Sequence, residues 1–157
     1  MVKKRRKKQN CNNLFDMIDC AITKWMKQHG VRYLRYGLAI VFIWFGILKP
    51  LGMSPAEELV KSTVYWFDPA WFLPILGWWE VLIGVCLFYR PLIRVGIFLM
   101  ALQMVGTFLP LVLLPDVAFT QFPLGLTLEG QYIIKNLVLI GAAIVIGSHV
   151  RDKGNNF

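Results

Sequence analysis

Histidine and acidic side chains are scarce in this chain, and their scarcity closes off much of the chemistry a protein of its length could perform. The two histidines, His29 and His149, border apolar runs instead of sitting inside them. A haem ligated by two histidines at mid-membrane therefore has no ligands here, and both residues read as interfacial polar groups. The three cysteines, Cys11, Cys20 and Cys86, show no C-x-x-C spacing, so neither a dithiol relay nor a disulfide framework is expected. No nucleophile triad, metal-ligand cluster or phosphate-binding glycine loop stands out, so no covalently bound or metal-ligated cofactor is expected. Charged residues make up only 17% of the chain against 57% hydrophobic residues, which is the balance of an integral membrane protein. Four runs of spanning length use up most of the 157 residues, so no separate soluble catalytic domain is expected.

Basic residues are plentiful, seventeen against nine acidic, and six of them form the run Lys3, Lys4, Arg5, Arg6, Lys7 and Lys8. Their position just upstream of membrane segments marks them as an anchor to anionic lipid and not as a nucleic-acid arm. Residues 1–13 hold too little apolar surface to offset the cost of ordering and read as a disordered tail. Residues 14–30 follow with Leu14, Ile18, Ile22, Trp25 and Met26 near helical spacing. They predict an amphipathic helix lying in the interface and ended by Gly30.

Residues 31–151 predict an all-α transmembrane bundle of four helices, with spans at about 33–52, 71–89, 92–114 and 131–148, and 152–157 as a C-terminal tail. Fourteen Lys and Arg flank the two termini and the loop between spans two and three, while the other two loops hold only Lys61. By the positive-inside rule both termini are cytoplasmic. A cleaved signal peptide fits poorly, because the first apolar run starts late and carries Lys49 near its end. Ser54, Pro55 and Glu57 form a helix-start signal in the first external loop, and the apolar second external loop should fold over the outer end of the bundle.

Span ends aside, where Arg35 and Arg94 count among the flanking basic residues, the polar residues inside the spans are Lys49, Glu80, Gln103, Lys135 and Asn136, with Glu129 at the entrance to span four. An unpaired charge at mid-membrane costs at least about 2.5 kcal/mol, so these groups should find one another. At about 1.5 Å per residue, Lys49 and Lys135 lie roughly 5 Å below the outer boundary and Glu80 roughly 13 Å below it, within reach of long side chains. Glu80 shares a helix stripe with Gly77 and Gly84, and Lys49 lies one turn from Gly46, which aims the set at the bundle interior. The expectation is a neutral cluster of Lys49, Glu80, Glu129 and Lys135. Two readings stay open: an ion cluster fixing helix register, or a polar pocket walled by Trp44, Trp78 and Trp79 that holds a quinone-like head group or relays a proton.

The segments "RYGLAIVFIWFGILKP", "LGWWEVLIGVCLF" and "LEGQYIIKNLVLIGAAIVIG" resemble the DoxX-like membrane proteins and the related YkgB-type inner-membrane proteins. The likeness covers about residues 32–151. Its specific parts are G-x-x-K at Gly46 and Lys49, E-x-x-x-G at Glu80 and Gly84, and the stretch from Glu129 to Asn136. It implies a four-helix bundle in a bacterial cytoplasmic membrane, serving a quinone-linked redox or oxidative-stress system, and it says nothing of residues 1–31. The expected role is a non-catalytic or quinone-facing subunit beside an oxidoreductase partner. The alternatives are a homo-oligomeric, proton-coupled permease and a structural or assembly protein.

Overall fold

The computed structural model describes residues 14–54, 57–64, 66 and 68–150. The basic run Lys3, Lys4, Arg5, Arg6, Lys7 and Lys8, the tails expected over 1–13 and 152–157, and Pro55 of the helix-start signal lie outside the described residues.

Helix α1 runs from Leu14 to Leu48 without interruption. The stop expected at Gly30 does not occur. A lone glycine costs a helix only about 1 kcal/mol relative to alanine, and no proline stands in the run to enforce a break. At about 1.5 Å per residue, thirty-five residues span roughly 52 Å, well beyond a hydrocarbon core of about 30 Å. The helix ends where "LKPLG" supplies both a breaker and a left-handed residue. Met53 N donates to Leu48 O at 3.0 Å, Gly52 N donates to Lys49 O at 3.1 Å, and Gly52 has φ of 66°. This is the paired-bond helix ending that a glycine closes, and it fixes Lys49 at the last turn.

A short helix, α2, spans Glu57–Thr63, and α3 spans Pro69–Phe88. The start of α3 is set by Asp68, whose Oδ1 accepts from Ala70 N at 3.0 Å, with Pro69 at the first helical position. A single 3₁₀ turn, Arg90–Leu92, links α3 to α4, Ile93–Phe108. Pro110 and Pro115 then divide the chain into the short helices α5, Pro110–Leu113, and α6, Pro115–Ala118. An antiparallel pair follows, β1 Phe119–Gln121 and β2 Gly125–Leu126, with Phe119 opposite Leu126 and a cis bond between Phe122 and Pro123. The last helix, α7, covers Leu128–His149, capped by Thr127, whose Oγ1 accepts from Gly130 N at 3.1 Å and donates to Val117 O at 2.6 Å. The second loop thus folds over the bundle end, as its apolar composition suggested, with Ala118 buried beneath α7.

Helix α1 packs chiefly on α3, α3 on α4, α4 on α7 and α7 on α1, which closes a four-helix ring. Leu38, Ala39 and Phe42 meet Ile83, Leu87, Ile93, Met100, Met104, Ala142, Ala143 and Ile146 in its core. Among the described residues four helical stretches are long and apolar enough to cross a membrane: Leu14–Leu48, Pro69–Phe88, Arg90–Leu113 and Leu128–His149. Only 22–39% of each apolar window is buried inside the protein. The outward faces therefore remain apolar over most of their circumference, the pattern of a chain surrounded by lipid.

Cysteine departs from expectation. Cys20 is disulfide-bonded, while Cys86 is free and buried. Bridge formation depends on two Cα atoms coming within several ångströms, and the absence of C-x-x-C spacing did not exclude it.

Candidate functional site

Three of the polar residues singled out from the sequence meet towards one end of the bundle. Lys49 Nζ donates to Glu80 Oε2, and Gln103 Nε2 donates to Glu80 Oε1 at 2.6 Å. Each residue comes from a different element: Lys49 from the turn that ends α1, Glu80 from mid-α3 and Gln103 from α4. Glu80 is 8% exposed, and the Lys49 and Glu80 side chains are closed off together. One carboxylate thus receives a cation on one oxygen and an amide on the other, the arrangement that makes a buried charge tolerable. The amide orientation follows from chemistry, because a flipped Gln103 would set a carbonyl oxygen against the carboxylate. Gln103 Oε1 is left buried with no hydrogen-bond partner, and Thr107 Oγ1 donates to the Gln103 backbone oxygen at 3.1 Å.

Backbone contact between α1 and α3 sets this geometry. A Cβ at Gly77 would stand 2.6 Å from Gly46 O and 2.9 Å from Lys49 Cβ, and one at Gly46 would stand 2.7 Å from Gly77 O. A Cβ at Gly84 would meet Ala39 O at 2.7 Å. The three glycines therefore form a seam along which the two backbones touch, as small residues allow between membrane helices. With the axes this close, Lys49 needs no full extension to reach Glu80.

The remaining candidates lie elsewhere. Lys135 is exposed, its Nζ 5.1 Å from the centre of the Tyr132 ring, and Glu129 is exposed at the start of α7. Asn136 donates to its own helix, at Tyr132 O, 3.1 Å away. The expected four-charge cluster is thus a pair extended by Gln103. The helix face of Lys135 points it outward, away from Ile133, which is buried. Trp44 and Trp78 face outward at 65% and 63% exposure and Trp79 is half-buried, so the tryptophans do not enclose the triad. Trp44 instead edges an open apolar groove of about 370 Å³ with Ile40, Ile43, Ile47 and Leu48.

One buried charge was passed over in the sequence. Arg35 counts by sequence as a basic residue near a span end, yet it is 3% exposed and its Nε and Nη1 make no hydrogen bond. The signal was there in the spacing. Arg35, Leu38, Ala39, Phe42 and Gly46 are all buried and recur at helical intervals, so Arg35 opens the same stripe that leads to Lys49.

Among the described residues no group of three or more His, Cys, Asp or Glu could hold a metal ion. Compared with protein families, curated proteins and solved structures, the chain shows no significant match.

Proposed function

We propose that the chain is a non-catalytic, multi-pass subunit of the DoxX-like kind in a bacterial cytoplasmic membrane. In this reading both termini are cytoplasmic, residues 14–30 carry the uninterrupted first helix beyond the hydrocarbon core on the cytoplasmic side, and the bundle serves a redox or oxidative-stress complex whose electron carriers belong to a partner subunit. The observation that carries the reading is the triad itself. Lys49 and Gln103 each donate to one oxygen of Glu80 across three elements, and the glycine seam beside them holds two of those elements in backbone contact. Such a closed group fastens helices; it does not present a free acid or base to a substrate. The apolar outer faces of the four helices supply surface for lipid and for partner helices. Orientation rests on the basic residues, with Arg32, Arg35, Arg90 and Arg94 gathered at one end of the bundle.

One observation favours a second, quinone-facing reading. The unpartnered Gln103 Oε1 is an acceptor next to a buried carboxylate, and it would take a hydroxyl proton donor such as a quinol or a relaying water. A proton-coupled permease would need the same atom. Extraction of the native chain in mild detergent separates these readings. An oxidoreductase subunit co-purifying without quinone supports the fastening role, bound quinone that is lost in Gln103→Met supports the second, and repeated recovery of neither argues against both.

A further inference from the structure

Helix α7 changes its packed face along its length. Gly130 and Ile133 are buried at the triad end, where a Cβ at Gly130 would meet Ala118 and Leu126 of the second loop, whereas Ala142, Ala143 and Ile146 are buried in the bundle core. From Ile133 to Ala142 is nine residues, two and a half turns, so these two buried positions face opposite ways. The face left open at the triad end carries Leu128, Glu129, Tyr132 and Lys135, with Leu128 and Tyr132 69% and 65% exposed. Lys135 is the anomaly on it. The residue lies roughly 10 Å along an apolar helix of spanning length, where an ammonium without a counter-charge is costly. The Tyr132 ring, 5.1 Å away, stabilises the charge but satisfies none of its N–H donors. Glu129 complements the dipole at the start of α7, yet neither Glu129 nor Lys135 joins an ion pair among the described residues. Six residues apart, they are not neighbours on their own helix.

Their placement makes the face complementary to itself. Glu129 precedes Tyr132 by three residues and Lys135 follows it by three, so the two charges lie about 60° to either side of the tyrosine. Copies inserted with the same topology in one bilayer run parallel, and a closed pair of them has its two-fold axis along the membrane normal. About that axis the Glu129 flank of one α7 faces the Lys135 flank of the other. The axial offset is about 9 Å, and lysine covers it by reaching towards the helix N-terminus, the direction in which its Cα–Cβ bond already tilts. We propose that this face of α7 pairs with the same face of a second copy, with Tyr132 at the centre and Glu129 of each copy meeting Lys135 of the other.

The inference rests on the reading that the four helices span a bilayer. Recovery of the chain in the aqueous fraction without detergent would sink that reading before association is measured. Full chains carrying donor or acceptor dyes are mixed in phosphatidylcholine bilayers and diluted with lipid while energy transfer is followed. The parent should associate, and Glu129→Gln, at an exposed position, should weaken association about tenfold, because both reciprocal pairs are lost at once. Glu129→Lys and Lys135→Glu should each fail to self-associate yet associate with one another, since the mixed pair restores opposite charges at both contacts. Where Lys135→Glu does not fold, Lys135→Gln takes its place and should weaken association as Glu129→Gln does. A parent that stays monomeric, association indifferent to either Gln variant, or charge-reversed chains that ignore each other would overturn the proposal. So would a Lys135→Gln chain that associates like the parent but no longer retains added phosphatidylglycerol, because the lysine would then serve a lipid head group.

Discussion

Glu80 carries a stringent requirement, because each of its oxygens needs a donor inside an apolar bundle. The sequence made Glu80 and Lys49 visible, since a charge inside a spanning run is anomalous by type alone. It could not choose between Lys49 and Lys135 as partner. That choice depends on helix rotation, and Lys135 turns its ammonium towards the Tyr132 ring on its own helix. Replacing Lys135 with Gln should therefore change stability by no more than about 0.5 kcal/mol, as for an exposed site, when unfolding is followed in mixed micelles. Gln103→Met should cost about 1.5 kcal/mol or slightly more, because a hydrogen bond to a charged group is lost while an unsatisfied carbonyl is also removed. A larger effect from Lys135 than from Gln103 would restore the four-charge cluster.

Among the elements, α1 and α3 decide the site. Span positions were legible from long apolar runs, and α3 begins and ends within a few residues of its expected limits because Asp68-Pro69 and Arg90-Pro91 punctuate it. Two features were not legible. Gly30 looked like a stop and is passed through, since a single glycine only taxes a helix while a proline breaks one. Arg35 looked like a rim charge, and only its alignment with Leu38, Phe42 and Gly46 on the packed face reveals its burial. The seam gives a test at this scale. Gly77→Ala would force its Cβ against Gly46 O and Pro50 Cδ, at 2.6 and 2.7 Å, with little freedom to yield. The variant should lose about 1–3 kcal/mol of stability, the range of overpacked cores. Gly37→Ala, which meets nothing within 4 Å, should be neutral or slightly stabilising. Equal effects at the two positions would remove the seam from the explanation.

At the scale of the whole molecule, a ring of four helices is closed by a polar fastening at one end and a cluster of arginines at the other. The proposed orientation is tested by single cysteines at Ser62 and Thr120, both exposed at the triad end. Placed in a chain whose native cysteines are replaced, they should react with a membrane-impermeant maleimide in whole cells, and protection of either would reverse the topology. Fastening is tested most directly by a double-mutant cycle on Lys49→Met and Glu80→Leu, with unfolding of the full chain measured in mixed micelles. Each single variant leaves one buried charge without its counter-charge and should lose about 3–5 kcal/mol, while the double variant, with an apolar pair of similar bulk, should recover most of that loss. Additive losses, with the double variant as unstable as the sum of the singles, would show that Lys49 and Glu80 do not act as a pair and that the triad does not hold the bundle together.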